Sequence, residues 1–159
     1  MNGTAAEGES AGAVRVGAAA GVRASAGERA GQAATLVILV GLVVLGMVLD
    51  PSPTGAGTHC QLGLPPCGML ETTGLPCPTC GVTTAFSLAS HGRLVEALVT
   101  QPFGLTVFLL VAGGAVGLVV ALVTGRSVQP VLAPGRLVMG AMALMLILLG
   151  AWAYKLATV

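Results

Sequence analysis

Three long runs without a single charge decide most of what this chain can become. They are residues 33–49 (AATLVILVGLVVLGMVL), 103–123 (FGLTVFLLVAGGAVGLVVALV) and 137–153 (LVMGAMALMLILLGAWA). Crossing roughly 30 Å of hydrocarbon at about 1.5 Å per residue takes about 17–25 residues, and each run has that length. Lipid offers the backbone no hydrogen-bond partners, so such a span must be a helix. Three buried helices of a soluble domain would need polar faces, and these runs carry almost no polar residues to make them. Composition agrees: 55% of the residues are hydrophobic and 8% are charged, against about 25% charged in soluble domains. Mean hydropathy is +0.93. The expected fold is an all-α membrane protein, with three transmembrane helices plus one or two short interfacial or re-entrant helices.

Residues 1–32 are Ala, Gly and Ser with scattered Glu and Arg. They carry too few large apolar groups to offset chain entropy, so a disordered tail is expected there. The tail and first run do not fit a cleaved signal peptide, because the charged region is too long and the apolar run exceeds about 15 residues. Basic residues set the orientation. Arg15, Arg23 and Arg29 precede the first span, and Arg126 and Arg136 lie in the 124–136 loop between the second and third. Only Arg93 and Lys155 fall on the other side. That bias puts the N-terminus in the cytoplasm, with the chain passing the cell membrane three times. The third span, taken to residue 157, ends on Trp152, Tyr154 and Lys155, an expected interfacial anchor.

Residues 50–80 then form an extracytoplasmic loop rich in proline and cysteine. From residue 81 the pattern turns helical: Val82, Ala85, Phe86 and Ala89 recur at helix spacing, and His91-Gly92 reads as a helix end. A second short piece, Arg93–Thr100, stops before Pro102. Neither can span, so residues 81–100 are expected as interfacial helices that lie flat or dip back into the membrane.

All four cysteines, Cys60, Cys67, Cys77 and Cys80, fall in the 50–80 loop. Pro78 suits the first position of a helix, which would make Cys77 its cap and favour a Cys77 thiolate at the positive end of the dipole. Three readings stand. In an oxidising compartment the four are most simply two disulfides, Cys77–Cys80 with Cys60–Cys67 being one of three connectivities. They could instead ligate a soft metal such as zinc, with His59 or His91 as substitutes, although the gap between Cys60 and Cys67 is wide for zinc. Thiol exchange is the third, although it normally comes with a thioredoxin-like framework that this chain lacks.

Little else is laid out for chemistry. Arg93 and Glu96 sit three apart, as a surface ion pair would. Gly113 and Gly117 have the spacing of close helix packing, within the chain or between copies. There is no phosphate loop and no Ser-His-Asp arrangement. The absence of charge within the spans argues against an ion or proton path. Seven scattered Lys and Arg at a net charge of +1 exclude a nucleic-acid footprint. The expected partners are the lipid bilayer and a membrane protein or a second copy.

The run CGMLETTGLPCPTCGVTTAF, Cys67 to Phe86, resembles the signature of a family of small bacterial multi-pass membrane proteins, the domain of unknown function 2752. Cys67, Thr73, Gly74, Cys77, Pro78, Cys80, Gly81, Thr83 and Ala85 match in order. Gly92, Leu94, Ala97, Leu98 and Pro102 resemble its continuation. Thr84 stands where the family usually has Arg, Gln101 where it has Asn, and Cys60 is additional. The resemblance implies a multi-pass architecture, no established activity, and Cys67, Cys77 and Cys80 acting as a set. The function expected is an accessory or scaffold protein, more a non-enzyme than an enzyme and without a cofactor, whose loop, stapled by Cys60, Cys67, Cys77 and Cys80, presents the Val82–Thr100 helices to a partner or the lipid surface. The alternative is a membrane-bound thiol-redox or zinc-like metal-binding protein using Cys77 and Cys80.

Overall fold

Ser25-Ala-Gly-Glu28 starts the first helix by reciprocal capping. The Ser25 hydroxyl accepts from the Glu28 amide at 3.2 Å, and the Glu28 carboxylate accepts from the Ser25 amide at 2.7 Å. This satisfies two amides that a helix start otherwise leaves without partners. Helix α1 therefore spans Ala26–Val48 and begins ahead of the apolar run. The computed structural model describes residues 23–129 and 133–158. The expected disordered tail lies outside these as far as residue 22, and from residue 26 to residue 32 the chain is helical instead.

The loop after α1 contains a 3-10 turn, Thr58–Leu62, and a short helix α2, Gly68–Thr73. Then follow α3, Val82–Ser90, and α4, Leu94–Thr100. Helix α5, Pro102–Thr124, opens on a proline where the missing amide costs nothing and stops at Gly125. Helix α6 runs Pro134–Thr158. Helices α1, α5 and α6 are each long and apolar enough to cross a membrane. Their large side chains stay exposed, Val37 at 72% and Val123 at 82%, as a surface meeting lipid would be.

Helices α1 and α5 run antiparallel, pinned at one end. There the Ala24 amide donates to the Gly125 carbonyl at 3.0 Å, Gln32 Nε2 to the Arg126 carbonyl at 3.2 Å, and the Ser127 hydroxyl to Glu28 at 3.1 Å. At the opposite end the two short helices behave differently. Helix α4 exposes Leu94, Val95, Leu98 and Val99 and buries only Ala97, with Arg93 Nε donating to Glu96 at 2.7 Å. It suits a membrane surface. Helix α3 has no open apolar face of that kind. Its Thr84, Ala85, Ser87, Leu88, Ala89 and Ser90 are all buried, wedged between the end of α1 and the start of α5.

Two glycines make room for that wedge. A Cβ on Gly104 would stand 2.8 Å from Ala85 Cβ, and one on Gly46 would stand 2.9 Å from the Phe86 ring. Phe86 meets Phe108 edge-on at 5.5 Å, and Ser87 donates to the Gly46 carbonyl at 3.0 Å and to that of Leu49. The expected packing pair does less within the chain. An added Cβ on Gly113 or Gly117 meets nothing within 4 Å, whereas at Gly114 it meets Leu39 at 3.3 Å. The close approach of α1 and α5 is therefore at Gly114, a residue hidden among three glycines of similar spacing.

Candidate thiol site at the end of the bundle

The segment from Cys77 to Gly81 is a turn, not the first turn of a helix. The Cys80 amide donates to the Cys77 carbonyl at 3.0 Å and the Val82 amide to that of Thr79 at 3.1 Å. Gly81, at φ +88°, caps α3. The left-handed glycine breaks the helix between Pro78 and Val82, so the expectation that Pro78 opens it and Cys77 caps it is corrected. The cysteine at a helix cap is Cys67, at the start of α2.

Folding brings three of the four cysteines together. The sulfurs of Cys67, Cys77 and Cys80 all lie within 4.8 Å of one another. Cys80 is buried, Cys67 and Cys77 are half-buried, and Cys60 stays exposed outside the group. No disulfide joins any of the four in the structure. The three sulfurs border a cleft of about 540 Å³ that is also lined by His59, Leu64, Leu70 and Thr83. His59 Nε2 is held by the Pro65 carbonyl at 3.1 Å. His91 lies at the far end of α3, its Nδ1 donating to the Ser87 carbonyl at 2.8 Å, and takes no part.

The thiols are not equivalent. The amide of Leu70, then the thiols of Cys80 and Cys77, favour the Cys67 thiolate and bring its pKa down to about 7. Burial first, then the Cys67 neighbour, pushes Cys80 up to about 12. Because only the thiolate is nucleophilic, iodoacetamide at pH 7 on chelator-treated, reduced protein should modify Cys67 ahead of Cys80, in the order read by peptide mass spectrometry. Equal rates for the two would contradict this asymmetry.

Groups far along the chain hold the turn. Trp152 Nε1 donates to the Pro76 carbonyl at 3.0 Å, Gln101 Nε2 to that of Pro78 at 3.0 Å, and Lys155 Nζ to that of Cys80 at 2.9 Å. Three alternate carbonyls around the cysteine pair are thus each claimed by a donor from α6 or from the α4–α5 junction. Trp152 and Lys155 turn onto the loop rather than serving only as an anchor. Beneath the turn, the hydroxyl of buried Thr84 hydrogen-bonds that of Thr58 at 2.9 Å. Thr84 thus ties the 3-10 turn to α3 and presents no charge. Gln101 stood at a position of the family signature and Trp152 and Lys155 in the expected anchor, but nothing in the sequence showed that all three hold this turn.

The comparisons place this segment. Residues 67–115 match a family model described as protein of unknown function (DUF2752). The match begins at the first clustered cysteine and ends inside α5. No curated protein and no solved structure matches the chain.

Proposed function

We propose that this protein, whose residues 67–115 match the DUF2752 family model, uses Cys67, Cys77 and Cys80 to hold a soft metal ion of the zinc class at one end of a helical bundle in the cell membrane. One observation carries the reading: three sulfurs lie within 4.8 Å of one another. Thiolates around tetrahedral zinc sit about 3.8 Å apart when each Zn–S bond is about 2.3 Å. Closing the remaining gap needs side-chain adjustments of less than ~1 Å per sulfur. Soft thiolates prefer zinc or monovalent copper over hard cations, and metal binding would draw off the protons that the free thiols retain.

Closed structural zinc sites use four protein ligands. Here Cys60 stands apart and the three cysteines border the cleft, which supports an exchangeable fourth position. An ion bound there would also lock the loop, so a scaffold role follows from the same site without two disulfides. The distribution of arginines supports an extracytoplasmic position for the site, with the N-terminus in the cytoplasm.

The split in thiol acidity favours a second reading, exchange with an incoming disulfide. The Cys67 thiolate would attack, forming one S–S bond as the other sulfur leaves as thiolate. Cys77 or Cys80, as thiolate, would then attack the Cys67 sulfur, breaking the mixed disulfide, releasing the substrate's second sulfur as thiolate and closing an internal disulfide. In this reading Cys67, rather than Cys77, is the attacking group.

Titration of the full-length, detergent-solubilised protein with Co²⁺ tests the two. The metal reading expects thiolate-to-cobalt charge-transfer absorption saturating at one ion per chain and lost on adding zinc. No such absorption, together with alkylation released by reductant alone, would overturn it in favour of exchange.

A further inference from the structure

At the end of the bundle away from the cysteines, α1 and α5 part around a groove of about 600 Å³, within the usual range for small-molecule sites. Toward the middle of the two helices its lining is apolar: Leu39, Gly114, Gly117 and Leu118. Toward the helix ends it is polar, with Glu28, Gln32, Ser127 and Gln129. Gln32 is only 5% exposed. Its Nε2 donates to the Arg126 carbonyl at 3.2 Å, but its Oε1 is buried and accepts no hydrogen bond among the described residues. A buried carbonyl oxygen without a donor carries an uncompensated desolvation cost. A glutamine kept at that place beside an apolar span therefore calls for a donor arriving from outside the protein.

The charges describe the donor. The lining contributes acceptors: the Glu28 carboxylate, already bonded by the Ser25 amide and the Ser127 hydroxyl, and Gln32 Oε1. One cation lies close by, Arg29, whose guanidinium donates to the Leu122 carbonyl at 3.4 Å, while Arg126 contributes only its backbone carbonyl to Gln32. Acceptors along the lining, a cation beside them and an apolar slot between two membrane-length helices match a zwitterionic phospholipid. Its primary ammonium would face Glu28 and Gln32, its phosphate Arg29, and one acyl chain would enter the slot. We propose that this groove binds a phospholipid whose headgroup carries N–H donors, the phosphatidylethanolamine type. The site is separate from the thiols and independent of what they bind.

Native mass spectrometry of the full-length protein, titrated with dioleoyl phosphatidylethanolamine or its N-trimethylated counterpart phosphatidylcholine, tests this. The two lipids share acyl chains and phosphate and differ in N–H donors. The expected result is retention of the ethanolamine lipid about tenfold better, the ratio set by roughly one net charge-assisted hydrogen bond. Gly117 lines the slot and an added Cβ there meets nothing within 4 Å, so Gly117→Leu places a bulky side chain where the acyl chain would lie and should abolish retention of both. Gln32→Leu should bring the two lipids to equality. Equal binding of the two by the unaltered protein would overturn the proposal, as would an ethanolamine adduct that survives Gly117→Leu. A site filled by water or by protein alone would show as no lipid adduct in any sample, which also overturns it.

Discussion

Serine in place of Cys67, Cys77 or Cys80 is expected to weaken zinc-class binding by at least about 100-fold, the upper end of what loss of a mere supporting group costs a metal site. Serine keeps the size but replaces a soft thiolate with a hard, protonated oxygen, and the other two sulfurs cannot hold the ion alone. Cys60→Ser should leave affinity within about twofold by the same reasoning, because Cys60 is exposed and lies outside the cluster. The measurement is competition against a chromophoric zinc chelator, with thermal melting recorded with and without added chelator. Unaltered protein should melt lower once the ion is removed, and the three serine variants should melt alike in both conditions. If Cys60→Ser costs as much as the others, the site has four sulfurs and the loop must close further than its present geometry. If no variant changes affinity, the metal reading falls.

Gly81→Ala is expected to destabilise the fold by about 2–4 kcal/mol, since two costs fall on one atom. The residue sits at φ +88°, a conformation that a Cβ disfavours by roughly 1–2 kcal/mol. The added Cβ would also stand 2.5 Å from the Gly55 carbonyl oxygen and 2.6 Å from Lys155 Nζ. Lys155 could swing away, but only by releasing the Cys80 carbonyl it holds at 2.9 Å. The Gly55 backbone has no such freedom. Gly74→Ala is the control: its φ is +72° and an added Cβ meets nothing within 4 Å, so it should cost only the backbone part, about 1 kcal/mol. Thermal melting of both variants separates the terms. Equal losses would mean that the close approach at Gly81 does not contribute.

Fold class was legible early because it rests on composition over long windows. Spans need only length and apolarity, and α5 and α6 run through the expected stretches. The start of α1 was legible in principle, since Ser25 and Glu28 form a recognised capping pair, but a polar, alanine-rich context made the segment read as tail. The helix expected to open at Pro78 failed for a local reason: Gly81 adopts a left-handed conformation that no spacing rule announces. The packing role given to Gly113 and Gly117 failed within the chain because helix rotation, which spacing leaves open, turned Gly114 toward Leu39 instead.

The sequence by itself determined that the chain has three membrane-length helices and that its thiols gather in one loop, because hydropathy and residue identity are properties of the linear chain. Only the tertiary structure decided which thiols meet. Cys60 precedes Cys67 by fewer residues than Cys67 precedes Cys77, yet it is Cys60 that stands outside. The choice comes from chain reversals at Gly63, Gly74 and Gly81, all with positive φ, and from Trp152 and Lys155 reaching back from the last helix to hold the turn. Contacts between residues 75 and 76 positions apart depend on where the last helix ends up against the loop, which neither hydropathy nor local spacing specifies.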